Sequence, residues 1–147
     1  MIKIICVGKI KENFFREAIL EYKKRLSKYC KLEIIEVNDE EHNSLEKEKT
    51  NILKYVKKTD YNIILDVNGN KLTSNEFAVK LDKVFIENSN ITFIIGGSLG
   101  LHEEIKDFSN YKLSFSDLTF PHQLFRVILL EQVYRCFKIL NNESYHK

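Results

Sequence analysis

Short, almost wholly apolar runs separated by stretches of helical spacing constrain this chain more than any other feature. "NIILD" and "ITFII" show no alternation of apolar and polar residues, so strands there must be covered on both faces. The pattern predicts strands at Ile2–Val7, Leu32–Val37, Asn62–Asp66, Ile91–Gly96 and "YKLSF". Between them it predicts helices at about Asn13–Lys28, Ser44–Lys58 and from Thr73 to about Asn88, then a short one from "LHEEI" and a long one at about Pro121–Leu140. Such alternation makes an α/β fold with a mainly parallel sheet flanked by helices. Thr73 and Glu76 form a capping box, Ser44 and Lys47 an imperfect one, and Asn68-Gly69 signals a turn. A polar loop, "NDEEHNS", leads into the second helix. With 147 residues and no repeat or linker, the chain reads as a single domain, 1–147, long enough to bury a core.

Composition narrows the function classes. No stretch approaches the roughly 20 apolar residues of a membrane span, so no membrane partner is expected. "MIKIICVGKIKENFF" lacks the apolar core and cleavage site of a signal peptide, and a cytoplasmic protein is expected. The three cysteines, Cys6, Cys30 and Cys136, are widely spaced among apolar neighbours and read as reduced structural thiols. No Cys or His pair has a metal-ligand spacing, and no metal is expected. Charge is unevenly spread: Met1 to Lys31 holds nine Lys or Arg against three Glu, a balance of +6 within a total of +2. Arg16, Lys23, Lys24, Arg25, Lys28 and Lys31 surround one helix, which suits a phosphate backbone or simply a solvated face.

Ligands of open α/β sheets gather beyond the carboxyl ends of the strands, which singles out the loops after Leu65, Ile95 and Phe115. The glycine loop "GGSLG" fails both phosphate patterns. Ser98 stands where a dinucleotide fingerprint needs glycine, and no Lys-Ser or Lys-Thr pair follows. Gly96-Gly97 thus supports close backbone approach to a ligand and a plain tight turn equally well. "SFSDLTFPHQLFR" interleaves Ser114, Ser116, Asp117 and Thr119 with Phe115, Leu118 and Phe120, a lining for a ligand with an apolar body and a few polar edges.

The helix that follows starts favourably at Pro121. His122 and Arg126, spaced i, i+4, present an imidazole and a guanidinium on its first turns, as reactive groups or as surface polarity. Farther on, "LFRVILLEQVYRCFKIL" is apolar nearly all round, so a second face is expected to meet another subunit. Tyr145 and His146 lie on a polar tail, where fraying is the ordinary expectation.

"ICVGK", "LDVNGN", "FIIGGSLGL", "LSFSDLTFPHQLFRVILLEQVYR" and the terminal "YHK" together make the whole chain resemble the SPOUT-class methyltransferases of the RlmH type. The last three in this order are the specific part. Asn68, Asn70 and Ser98 are modest departures. The resemblance implies a SPOUT fold with a C-terminal deep trefoil knot, which periodicity does not show and general topology rules disfavour. It implies S-adenosylmethionine as cofactor, with Leu65 and Gly96 in contact with it and Phe115, Ser116, Asp117, Leu118, Thr119 and Phe120 wrapped around it. It implies methylation of N3 of a pseudouridine in 23S ribosomal RNA of the assembled ribosome, by a homodimer with its cleft beside the subunit interface.

N3 of a pseudouridine carries a proton at neutral pH, so methylation needs a proton acceptor or a cation to hold the imide charge. His122 and Arg126 are candidates for these roles, with Tyr145 and His146 as alternatives. No covalent nucleophile is required. Two rivals stand beside this reading. A non-catalytic RNA-binding module of ribosome assembly explains the basic helix but not the loops, and a nucleotide-dependent doubly wound enzyme is disfavoured by the failed glycine fingerprints.

Overall fold

The computed structural model describes residues 1–39 and 44–147, so most of the loop read as "NDEEHNS" lies outside the described residues. Strands β1 (Ile2–Val7), β2 (Leu32–Val37), β3 (Tyr61–Lys71), β4 (Ile91–Ile95) and β5 (Tyr111–Ser114) alternate with helices α1 (Asn13–Leu26), α2 (Leu45–Leu53), α3 (Ser74–Glu87), α4 (Glu103–Phe108) and α5 (His122–Leu140). The five strands form one sheet in the order β2-β1-β4-β3-β5, parallel at every pairing.

Consecutive residues of a strand point to opposite faces, and the core divides accordingly. Ile4, Cys6, Ile63 and Phe93 pack with Leu26 of α1, with Phe77 and Leu81 of α3, and with Leu129 and Val133 of α5. Ile5, Val7, Ile64 and Ile94 pack on the other face with Ile52 of α2 and Ile105 of α4. Both faces are therefore covered, as the unbroken apolar strands require.

Several boundaries depart from the sequence pattern for local reasons. Helix α2 stops at Leu53 instead of Lys58, because the Lys3 ammonium takes the Tyr55 carbonyl at 3.0 Å and Leu53 and Tyr55 are already exposed. Strand β3 runs on to Lys71: the chain bulges between Leu65 and Asn70, both of which face Leu113, and then resumes pairing. Gly69 serves that bulge, since a Cβ there would lie 2.7 Å from the Lys112 carbonyl oxygen. Strand β4 ends at Ile95, one residue before the glycine loop, which closes on itself through a Gly97–Gly100 bridge. Strand β5 stops at Ser114, whose hydroxyl turns to donate to the Ser116 carbonyl at 3.1 Å. Pro121 caps α5 from outside with an extended ψ of 133°, and His122 is the first helical residue. The capping box of α3 has both halves, Glu76 N–H to Thr73 Oγ1 at 3.1 Å and Thr73 N–H to Glu76 Oε2 at 2.7 Å.

Candidate active site

The carboxyl ends of β3, β4 and β5 open into a cleft of about 500 Å³, roofed by the segment leading into α5. Leu65, Gly96, Phe115, Ser116, Leu118, Thr119 and Phe120 line it, and so does His122. Asp117 does not: its carboxylate is exposed and paired with Lys71. Arg126, Tyr145 and His146 do not line the cleft either.

The glycine loop is shaped first by its own chain. A Cβ on Gly96 would sit 2.4 Å from the Gly100 carbonyl oxygen, and Gly100 takes a left-handed φ of 78°. Opposite it, Ser116 Oγ accepts from the Leu118 N–H at 3.0 Å, which holds the roof segment in a tight turn. Leu118 is 72% exposed, an apolar side chain lining an open cleft with little to cover it. Apolar walls from Leu65, Leu113, Phe115, Phe120 and Phe125, with backbone edges from two loops, fit a purine ring and its attached polar chain. The sequence pattern missed Asp66 and Lys106, an ion pair at 3.5 Å on the α4 side of the cleft. Asp66 directly follows Leu65 and was within reach of the loop argument. Nothing in "HEEIKDF" distinguishes Lys106 from its charged neighbours.

His122 stands at the other end of the cleft, half-buried. Its pKa is lowered from the ordinary value by burial first and then by the Arg126 guanidinium, while Asp39 acts in the opposite direction. Gly8, with a φ of 88°, passes beside it: a Cβ there would be 3.6 Å from His122 Nε2. Arg126 is only 2% exposed, and both of its Nη atoms are engaged in holding the chain while its Nε is buried without a partner among the described residues. Nη1 donates to Glu36 Oε2 at 2.8 Å, and Nη2 donates to the Val7 and Gly8 carbonyls at 2.8 and 2.6 Å. The same Glu36 oxygen accepts from the Ile10 N–H at 2.8 Å. Glu36 carried no sequence signal, since in "LEIIEV" it reads as the solvated side of an edge strand.

The tail is folded back, not frayed. Asn142 adopts a left-handed φ of 54° after α5, and Glu143 N–H returns to the Lys138 carbonyl at 2.9 Å. Glu143 then accepts from Tyr29 Oη at 2.7 Å and from Lys138 Nζ at 2.8 Å. The Tyr145 ring packs edge-on against Tyr134 at 5.0 Å, with its hydroxyl donating to Glu131 at 3.0 Å. Burial and that carboxylate push the Tyr145 hydroxyl up to about 12, so it keeps its proton at neutral pH. His146 Nδ1 lies 3.1 Å from Arg135 Nη1. These contacts centre on Tyr134, about 18 Å along the helix from His122. One chain therefore joins His122 with Arg126, but joins neither with Tyr145 and His146.

The cysteine thiols are held protonated by burial, Cys6 and Cys136 at about 12 and Cys30 at about 11. Among the described residues, no group of three or more His, Cys, Asp or Glu is placed to hold a metal, and no helix is long and apolar enough to cross a membrane.

An all-parallel sheet with a half-apolar, backbone-walled cleft at its carboxyl edge defines a cofactor-binding α/β protein. The chain belongs to the SPOUT methyltransferase family: the family model described as "Predicted SPOUT methyltransferase" matches residues 1–146. It is similar to "Ribosomal RNA large subunit methyltransferase H" of Clostridium botulinum strain Okra, 56% identical with 99% of each chain covered. It is also similar to the protein of that name from Acetivibrio thermocellus, 50% identical with 99% of each chain covered. Among solved structures, a probable methylase family protein of Haemophilus influenzae shares the fold with a TM-score of 0.59 at 17% identity, covering 99% of this chain and 70% of that one. The tRNA (m1G37) methyltransferase of Aquifex aeolicus does so with a TM-score of 0.53 at 16% identity, covering 91% of this chain and 69% of that one. The chain is accordingly a methyltransferase.

Proposed function

We propose that this methyltransferase takes its methyl group from S-adenosylmethionine and places it on N3 of a pseudouridine in large-subunit ribosomal RNA of the assembled ribosome, in the cytoplasm. The observation that carries the reading is the cleft, which offers apolar walls and loop backbone to an adenosyl group and a half-buried imidazole at its mouth. The full-length relatives named for ribosomal RNA methylation support the substrate. When bound, the cofactor supplies a methyl group already activated by a sulfonium charge. Leu65, the Gly96–Gly100 loop and the roof from Phe115 to Phe120 hold it and exclude water. His122, kept neutral by burial and by Arg126, accepts the N3 proton as the nitrogen attacks. Arg126 acts from behind, fixing the Gly8 turn that passes beside His122.

The reading includes a homodimer in which the tail of one subunit faces the cleft of the other, and a trefoil knot formed by the roof segment and α5. The tail contacts seen within one chain support this arrangement, because they present Tyr145 and His146 as a fixed surface away from that chain's own cleft. Titration calorimetry with S-adenosylmethionine and with ATP tests the cofactor: the first should bind and the second should not. Labelled methyl donor supplied with naked RNA, isolated subunits and assembled ribosomes tests the substrate, with transfer expected to assembled ribosomes alone. Stretching the unfolded chain by its termini tests the knot, which should leave a contour shorter than 147 free residues give.

A further inference from the structure

The turn between β1 and α1 is braced more heavily than its exposure calls for. Ile10 N–H is held by Glu36, and the Ile10 carbonyl accepts from Arg16 Nη2 at 3.0 Å and Nε at 3.3 Å. Arg16 Nη1 also donates to Asn13 Oδ1 at 3.4 Å. Lys11 N–H donates to Gln123 Oε1 at 3.5 Å, which ties the turn to the residue next to His122. On this fixed base, in the first turn of α1, stands Phe14 with 63% of its surface exposed. Among the described residues its ring neighbour is Phe15, at a centroid distance of 4.5 Å and a tilt of 56°. Phe14 follows Lys11 by three residues, at most about 11 Å of chain, on the same segment whose Gly8 passes beside His122.

We infer that Phe14 is a stacking platform for an unpaired nucleobase of the RNA, one that flanks the nucleotide being methylated. The inference rests on the proposed ribosomal RNA substrate and adds the contact that grips the strand beside the cleft. Three observations favour a nucleic acid. A rigidly held, exposed aromatic ring offers stacking at little ordering cost, and every base has a π-face to give it. Exposed Lys9, Lys11 and Arg16 lie within five residues of Phe14 in sequence, against Glu12 and Glu17, so the segment that carries the ring has an excess of positive charge. Apart from its N-cap, Glu12, the first turn of α1 adds no acidic residue to offset that charge. A second copy of this chain fits the patch less well. A twofold contact there would set the exposed Lys9, Lys11 and Arg16 of one copy against the same residues of the other.

The test compares Phe14→Ala, Phe14→Leu and Phe14→Trp in the full chain, with ribosomes as substrate and S-adenosylmethionine affinity and native mass measured alongside. Phe14→Ala and Phe14→Leu should raise KM for ribosomes about tenfold to a hundredfold, the worth of one base–aromatic stack. Donor affinity, native mass and the salt dependence of ribosome binding should stay at the parent's values. Phe14→Trp should restore KM, because any flat ring serves. Lys9→Gln with Lys11→Gln should instead flatten the salt dependence. An unchanged KM in Phe14→Ala, restoration by Phe14→Leu, or a shift in native mass would overturn the inference and return Phe14 to a plain apolar or subunit contact. A parent that transfers no methyl group to ribosomes would overturn the substrate reading itself, and this inference with it.

Discussion

Arg126 Nη2 lies 2.6 Å from the carbonyl oxygen of Gly8, joining the second turn of α5 to the end of β1 across 118 residues of chain. The contact explains why a guanidinium in this position is buried. Planar and multiply donating, it closes two carbonyls and the Glu36 carboxylate at once, in a geometry that an ammonium does not reproduce. Arg126 thus positions its neighbours, and its charge reaches His122 through space.

Arg126→Ala is therefore expected to remove about 3 kcal/mol of stability, since it takes this donor from the Val7 and Gly8 carbonyls and the cation from Glu36. Arg126→Lys should recover only part of that in denaturant titration. In both variants methyl transfer should fall far more than S-adenosylmethionine affinity, because Arg126 does not line the cleft. Equal loss of transfer and of donor binding would place Arg126 in the pocket instead.

The depressed pKa of His122 sets the pH dependence. An imidazole whose folded-state pKa lies below the unfolded value of about 6.5 is protonated first in the unfolded chain as pH falls, so stability declines below that pH. As proton acceptor it stays competent down to its own lowered pKa, so the acid limb of the transfer rate should lie below pH ~6.5. Asp39 pulls the pKa upward, and Asp39→Asn should move that limb further to acid. Transfer rates across pH for parent and variant decide it, and an unmoved limb would mean that another group takes the proton.

Two substitutions separate cofactor contact from loop architecture. Leu118 lines the cleft yet is mostly exposed, so Leu118→Ala should leave thermal stability nearly unchanged and weaken S-adenosylmethionine binding by about 1 kcal/mol, or fivefold. Gly96→Ala should damage both, because the added methyl meets backbone and the loop must open. Calorimetric titration together with a melting curve reads the two quantities. Unchanged donor affinity in Leu118→Ala would remove the roof segment from the site.

The parallel sheet was legible because buried strands such as Ile91–Ile95 carry no polar alternation, and the α3 cap because Thr73 and Glu76 stand at the spacing that reciprocal bonding needs. The three loops of the cleft followed from the rule that ligands of open α/β sheets gather beyond the carboxyl ends of the strands. What stayed hidden depends on residues far apart in sequence. Glu36 reads as an edge-strand charge until Arg126, ninety residues on, is placed against it. The same holds for Lys3, whose bond to the Tyr55 carbonyl shortens α2. The tail looked disordered because neither the left-handed turn at Asn142 nor the Tyr29 hydroxyl that receives Glu143 leaves a local signature.

The tail carries the last prediction. The sequence pattern left the tail to fray, but Tyr29 in the turn after α1 and Glu131, Tyr134 and Lys138 of α5 hold it within its own chain. A preformed surface of this kind can serve a neighbouring cleft with little ordering entropy left to lose. Deleting Ser144 to Lys147 should then keep the dimer intact and abolish transfer. The decisive mixture pairs that deletion with Leu118→Arg, which puts a bulky cation on the cleft wall in an exposed position that the fold tolerates. Each variant alone should be inactive. A mixed dimer joins an open cleft on the tail-deleted subunit to an intact tail from the Leu118→Arg subunit, so one working site per mixed dimer should return. If native mass spectrometry shows mixed dimers and transfer does not recover, the tail acts within its own chain or takes no part in the reaction.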